Sequence, residues 1–224
     1  MRLGKRLTEI VSYVEPGDRV VDVGTDHGYI PVYLIKNEIC DRVSATDIRK
    51  GPLDSAKRSA EENDVSDRID FYLTDGLKNI DRTGLNTVIL AGMGGETIIG
   101  ILENEMWIQC DDVKLILQPQ SKIDELTAWL EASGFYISDA SLVKDEGRIY
   151  LVLLVRWHSD KIGDCSYLSL LAGKHDPLFS EYLEALISKY EKIISGKRTS
   201  DSQINDISED EEKLAYYKSL REEA

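Results

Sequence analysis

The chain has 224 residues, 42% hydrophobic and 30% charged, enough for one ordinary domain with a buried core, or a smaller domain with an appendage. Lys and Arg total 27 against 41 Asp and Glu, and the resulting net charge of −14 excludes loose electrostatic binding to a polyanion over the whole surface. No membrane-length apolar run or signal-peptide core is present, and Cys40, Cys110 and Cys165 are widely spaced and odd in number, so a soluble cytoplasmic protein without disulfides or a metal is expected.

In chain order, Leu3, Leu7, Ile10, Val11 and Val14 share one face of a helix over 3–14, which Pro16-Gly17-Asp18 ends. A short apolar strand follows, RVVDVG from Arg19 to Gly24, then a helix to about Asn37 and a second strand, RVSATD, ending at Asp47. Pro52 suits the first turn of a helix that runs to about Asn63. Strands are expected at 68–73 (RIDFYL), 86–92 (NTVILAG) and 113–119 (VKLILQP), with helices at 96–106 and 122–133. FYISDASLV and RIYLVLLVRW, joined by a Lys-Asp-Glu-Gly turn, read as an antiparallel hairpin. Five strand–helix units and a hairpin over 1–158 predict an α/β domain, a doubly wound and mostly parallel sheet with an antiparallel edge. Beyond His158 the signals are helical, around Tyr167–Ala172, Leu178–Ile194 and a final short helix marked by Leu214, Tyr217 and Leu220, separated from its predecessor by the polar stretch 196–206. The segment 159–224, with 9 basic and 14 acidic residues, is expected to be a helical hairpin or small coiled coil.

The sharpest local signal is VVDVGTDHGYIP, Val20 to Pro31, where a strand gives way to a glycine-bearing loop and then a helix. In a doubly wound sheet, ligands bind at the carboxyl ends of central strands, and Gly24 and Gly28 let a ligand approach the backbone. A dinucleotide fingerprint would need three glycines and an uncluttered helix N-terminus for the pyrophosphate. Here only Gly24-x-x-x-Gly28 is present, bracketed by Asp22 and Asp26, whose charges repel a diphosphate and attract a cation. S-adenosylmethionine carries an ammonium and a sulfonium and no phosphate. Asp47, at the end of the second strand, suits ribose hydroxyls, and Asp75, in Thr74-Asp75-Gly76-Leu77 after the third, suits an adenine amino group.

The set Asp22-x-Gly24, Asp47 and Asp75-Gly76 resembles the class I methyltransferases. With AGMGG (Ala91 to Gly95) after strand four, LQPQ (Leu117 to Gln120) after strand five, the GKRL opening (Gly4 to Leu7) and GTDHGYIP, the chain resembles the bacterial tRNA (adenine-22) N1-methyltransferases over essentially its whole length. The resemblance implies a Rossmann-like class I methyltransferase fold with a seven-stranded sheet, S-adenosyl-L-methionine as cofactor and tRNA as partner. It implies cofactor contacts from Asp22, Gly24, Thr25 and Gly28, from Asp47 and Ile48, and from Asp75, Gly76, Leu77 and Ala91. The base would enter over Gly92, Met93, Gly94 and Gly95, near Gln118 and Pro119. The chain departs from the family pattern at Gly28, Asp47 and Gln120, where Ala, Glu and Asn are expected. The first two preserve the chemistry, and the third takes away the basis for a substrate role at Gln120.

Methyl transfer to an adenine N1 needs alignment more than a strong base, because that nitrogen has a free lone pair once unpaired. Its product is cationic, and nearby carbonyls or a carboxylate such as Asp26 would stabilise that charge. His27 is paired with it as a candidate catalytic group, the alternative being an ordinary loop histidine. Tyr29 either stacks on a base or packs into the helix that follows. Arg2, Lys5 and Arg6 either take tRNA phosphates or form a solvated helix face. A methyltransferase for another substrate, a nicotinamide-dependent oxidoreductase and a non-catalytic RNA-binding relative remain as alternatives. The helical segment is open between guiding tRNA and packing, and the oligomeric state is open too.

Overall fold

The computed structural model describes residues 2–159, 166–199 and 207–223, so Cys165 and residues 200–206 of the polar stretch lie outside the described residues. The chain divides into two compact units, Met1–Tyr167 and Leu168–Ala224.

The first unit is a seven-stranded sheet. Its strands are β1 (Val20–Val23), β2 (Val43–Asp47), β3 (Ile69–Leu73), β4 (Thr87–Gly94), β5 (Lys114–Ser121), β6 (Phe135–Asp145) and β7 (Arg148–Trp157), in spatial order β3-β2-β1-β4-β5-β7-β6. The first five strands of that order pair in parallel, whereas β7 pairs antiparallel with both β5 and β6. Every residue of β1 and β2 is buried, as expected for parallel strands covered on both faces. The strand order reverses direction between β1 and β4, which opens a crevice at their carboxyl ends.

Helices α1 (Lys5–Ser12), α2 (Tyr29–Lys36), α3 (Lys50–Glu62), α4 (Gly95–Leu102) and α5 (Ile123–Ala132) complete this unit. Ile10 and Val11 of α1 join the core with Ile30, Val32, Leu34 and Ile35 around α2 and Ile89 of β4. Two expectations need correction. No helix lies between β3 and β4 among the described residues, so the strand–helix units number four and not five. The turn residues Asp75-Gly76 and Thr83-Gly84 occupy that connection, and Gly76 and Gly84 take left-handed conformations. The helix after β4 stops at Leu102, and Met106–Ile108 forms a separate 3-10 turn.

In the second unit, α6 (Tyr167–Gly173) straddles the division between units, and α7 (Phe179–Thr199) and α8 (Ser208–Glu223) form an antiparallel hairpin. The Tyr190 and Tyr217 rings meet at a tilt, 5.5 Å between centroids, and Lys197–Asp210, Arg198–Glu211 and Lys218–Glu191 pair across the hairpin. The last helix has 16 residues, longer than its sparse apolar stripe suggests, and the Lys213–Glu209 pair one turn apart supports it along its own face.

Candidate active site

The carboxyl ends of β1, β2 and β4 open onto a cleft of about 700 Å³. Its cofactor-side wall is built by backbone ties between adjacent strand ends. Gly24 and Thr25 N–H groups donate to the Thr46 carbonyl at 2.8 and 2.9 Å, and the Thr46 hydroxyl donates to the Gly76 carbonyl at 3.0 Å. The Thr74 N–H donates to the Asp47 carbonyl at 3.0 Å, which draws the loop after β3 beside the end of β2. Asp22, Asp47 and Asp75 thereby line one cavity from three successive strand ends.

Each carboxylate has a distinct setting. Asp22 is 4% exposed, inside a strand with no other polar residue, and burial pushes its carboxyl up to about 7. The Thr25 hydroxyl opposes the shift and the Asp47 charge adds to it. Thr25 Oγ1 is itself buried and makes no hydrogen bond of acceptable geometry, so its effect on Asp22 is one of proximity. Asp47 is aimed by the backbone: its Oδ1 accepts from the Arg49 N–H at 2.8 Å, and its Oδ2 more loosely from the Asp26 N–H at 3.4 Å. Asp75 is exposed, with Oδ2 held by Lys78 Nζ at 2.6 Å, and the Lys78 ammonium is pushed up by that contact.

The loop glycines divide into two kinds. Gly24 and Gly28 both have φ of 70°, a region that costs a side-chain-bearing residue strain. A Cβ on Gly24 would overlap the Met93 Cε inside the cleft. A Cβ on Gly28 would instead lie 2.9 Å from the Ala56 Cβ of α3, so Gly28 permits helix packing and does not line the cavity. Leu77 is 1% exposed and belongs to the core. Ile48 lines the cavity and is 66% exposed, an apolar face left uncovered at its rim.

Across the crevice, pairing between β4 and β5 is irregular from Ala91 through Gly94, and Gly92 has φ of 78°. Ala91, Gly92 and Met93 line the cavity. Gly94 and Gly95 do not: a Cβ on Gly95 would overlap the Lys122 carbonyl, so this glycine seats α4 against the turn before α5. Gln118 and Pro119 are buried beside them on β5. The exposed mouth carries Asp26 and His27, with His27 Nε2 3.7 Å from Asp26 Oδ2, and His27 stacks on Tyr29 at 5.4 Å between centroids. Tyr29 is 46% exposed, so its ring faces the mouth and is not packed away.

Among the three N-terminal cations, Arg6 alone lines the cavity, and Arg2 and Lys5 are exposed outside it. The Arg6 N–H donates to Asp145 Oδ2 at 3.0 Å, so the hairpin of β6 and β7 caps α1 and fixes where the arginine stands.

Residues 3–153 match the family described as a methyltransferase domain. Over 173 residues the chain is 31% identical to the tRNA (adenine(22)-N(1))-methyltransferase of Bacillus subtilis strain 168, spanning 77% of this chain and 72% of that protein. The chain belongs to the tRNA (adenine(22)-N(1))-methyltransferase family. The crystal structure of the B. subtilis m1A22 tRNA methyltransferase TrmK superposes with a TM-score of 0.77 at 25% identity, over 99% of this chain and 97% of that one. The Streptococcus pneumoniae protein Sp1610, solved in complex with S-adenosyl-L-methionine, superposes with a TM-score of 0.83 at 27% identity, over 98% of this chain and all of that one.

In this member of the family the cavity also takes in Gln120, Thr97, Ile101 and Arg49, which the sequence reading leaves out. Gln120 stands where the family pattern has Asn, yet it lines the cavity, and its Nε2 lies 3.7 Å from where a Gly92 Cβ would be. The signal was available, since LQPQ closes a central strand on the ligand side. Thr97 and Ile101, in the first and last turns of α4, carry no motif of their own.

Proposed function

We propose that this chain is an S-adenosyl-L-methionine-dependent tRNA methyltransferase that methylates N1 of adenine 22. The observation that carries the reading is the convergence of Asp22, Asp47 and Asp75 from three strand ends onto one cleft. That lining fits the cofactor by chemistry: Asp22 for its ammonium, Asp47 for the ribose hydroxyls and Asp75 for the adenine amino group. The buried, unpartnered Thr25 Oγ1 supplies a further polar contact at the same wall, with Gly24 and Gly76 leaving room for the ligand and Ile48 and Ala91 giving apolar contact. When bound, the cofactor supplies a methyl group made electrophilic by its sulfonium.

The chain's own residues then do three things. Ala91 and Gly92, in the irregular end of β4, form a floor with little side-chain bulk that admits a flipped base by backbone contact, with the Met93 side chain as its flank inside the cleft and Gly94 and Gly95 turning the chain away. His27 and Tyr29, stacked together at the mouth, offer an aromatic shelf for that base. Asp26, beside His27, stabilises the positive charge that develops as the neutral N1 becomes cationic. Arg2 and Lys5, and Arg6 where its anion is a phosphate, receive tRNA phosphates at the edge of the cleft. Residues 1–158 act as the methyltransferase domain and 159–224 as a helical appendage, in the cytoplasm where tRNA is found.

Incubation with labelled S-adenosyl-L-methionine and unmodified bacterial tRNA, then digestion to nucleosides, tests this reading. N1-methyladenosine is the expected product. A protein that binds the cofactor but leaves tRNA unlabelled, or that yields a different methylated nucleoside, overturns it.

A further inference from the structure

We infer that Gln118 is a positioning residue: it holds the Arg6 guanidinium in the cleft so that Arg6 can bind an oxyanion, either a tRNA phosphate or the carboxylate at the amino-acid end of the methyl donor. The inference rests on the methyltransferase reading above, and it replaces direct substrate contact as the role of Gln118.

Gln118 is fully buried on β5, opposite Ala91 of β4. Its Oε1 accepts from Arg6 Nη1 at 2.8 Å, and its Nε2 donates to the Pro119 carbonyl at 3.1 Å. The second bond fixes the orientation of the amide, because only the oxygen can then face the arginine. The Arg6 Cζ also lies 5.6 Å from the centroid of the Tyr150 ring, and its backbone N–H is held by Asp145. Half-buried, with its guanidinium tied at two points and its backbone at a third, Arg6 is far less free than a surface arginine.

The partners around the guanidinium are what give it a purpose. A neutral amide and an aromatic face hold it, and it forms no ion pair among the described residues. A glutamate at 118 would hold it as firmly and cancel its charge. Gln118 occupies one of five N–H donors, which leaves the fork able to meet a carboxylate or phosphate. Room for that anion exists beside Gly92, where a Cβ would stand 3.7 Å from Arg6 Nη1. Arg6 thus complements the anionic wall of Asp22, Asp47 and Asp75 across the same cleft. The two sources of the anion differ in consequence: a phosphate makes Arg6 a tRNA contact, and a carboxylate makes it a donor contact.

The test uses the full chain with Arg6→Gln, Gln118→Met and the double variant. It reads kcat, the KM for tRNA and, without turnover, the Kd for S-adenosylhomocysteine by calorimetry. Losing one charge-assisted contact weakens binding by about 10-fold. If the anion is phosphate, both single variants raise the tRNA KM by that factor and leave the Kd alone; if it is the donor carboxylate, the Kd rises and the KM does not. In either case kcat changes little and the double variant is no worse than Arg6→Gln, since both substitutions remove one interaction. Should Gln118→Met fail to fold, Gln118→Glu replaces it, keeping a hydrogen bond to Arg6 while neutralising it, and the same loss is expected. Gln118 variants with wild-type KM and Kd, a loss confined to kcat, or losses that multiply in the double variant overturn the inference. Wild-type protein that binds S-adenosylhomocysteine but methylates no tRNA would defeat the functional reading instead, while the binding arm still reports on the donor carboxylate.

Discussion

Asp22 shows how one position turns the fold's burial into chemistry. A central parallel strand must be apolar, yet β1 carries a carboxyl among Val20, Val21 and Val23, and burial holds it at about 7. The folded carboxyl binds its proton more tightly than the unfolded one, whose ordinary value is 3.8. Between those pH values the folded state holds more protons, so this group's contribution to stability falls as pH rises toward 7. A bound ammonium reverses that preference by favouring the ionised form. S-adenosylhomocysteine should therefore bind roughly eightfold more tightly at pH 7.5 than at pH 6, and Asp22→Asn should flatten the dependence. Calorimetry across that range checks both, and a wild-type affinity that does not change with pH would contradict the assignment. Asp47→Ala removes the acceptor aimed at the ribose and should cost about 10–100-fold in the same affinity while leaving the thermal transition nearly in place.

At the scale of elements, the sequence made the parallel strands and the cofactor-side acids legible for a physical reason. Strand ends in this topology all face one crevice, so an acid closing each of three strands marks a site before any contact is known. Asp22, Asp47 and Asp75 line it together, and the hairpin of β6 and β7 is recognisable from the mixed strand FYISDASLV, the turn after it and the long apolar run of RIYLVLLVRW. Glycines are less legible, because a turn and a ligand approach ask for the same residue. Only the folded arrangement separates Gly24, which faces Met93 in the cleft, from Gly28, which faces Ala56 of α3. Gly28→Ala should accordingly cost at least about 1–2 kcal/mol from the left-handed conformation, with the overlap on Ala56 added to it, and lower Tm by several degrees, with cofactor affinity preserved once the protein is folded. Gly24→Val should do the reverse, weakening S-adenosylhomocysteine binding by at least about 10-fold, because strain and the overlap with Met93 both fall inside the cavity. Equal effects of the two substitutions on binding would show that the loop acts as one unit. Arg6 illustrates what periodicity hides: it sits beside Leu7 in the first turn of α1, but the contacts that fix it come from Gln118, Asp145 and Tyr150, more than a hundred residues away.

Across the whole molecule, a net charge of −14 and an RNA substrate are reconciled by distribution. Residues 1–8 carry Arg2, Lys5 and Arg6 with no acid before Glu9, whereas the segment 159–224 is net negative. Phosphate contacts are therefore few, and tRNA affinity should depend on salt only weakly, with a slope that falls further when Arg2 and Lys5 become Glu. No helix among the described residues is long and apolar enough to cross a membrane. The physical centre of the account is that an anionic crevice between β1 and β4 accepts a cationic methyl donor and repels a diphosphate. Parallel calorimetric titrations of the pure protein with S-adenosylhomocysteine and with NADH test this most directly. Saturable binding of the first, with no measurable heat from the second, is the expected result; tighter binding of NADH would contradict the account.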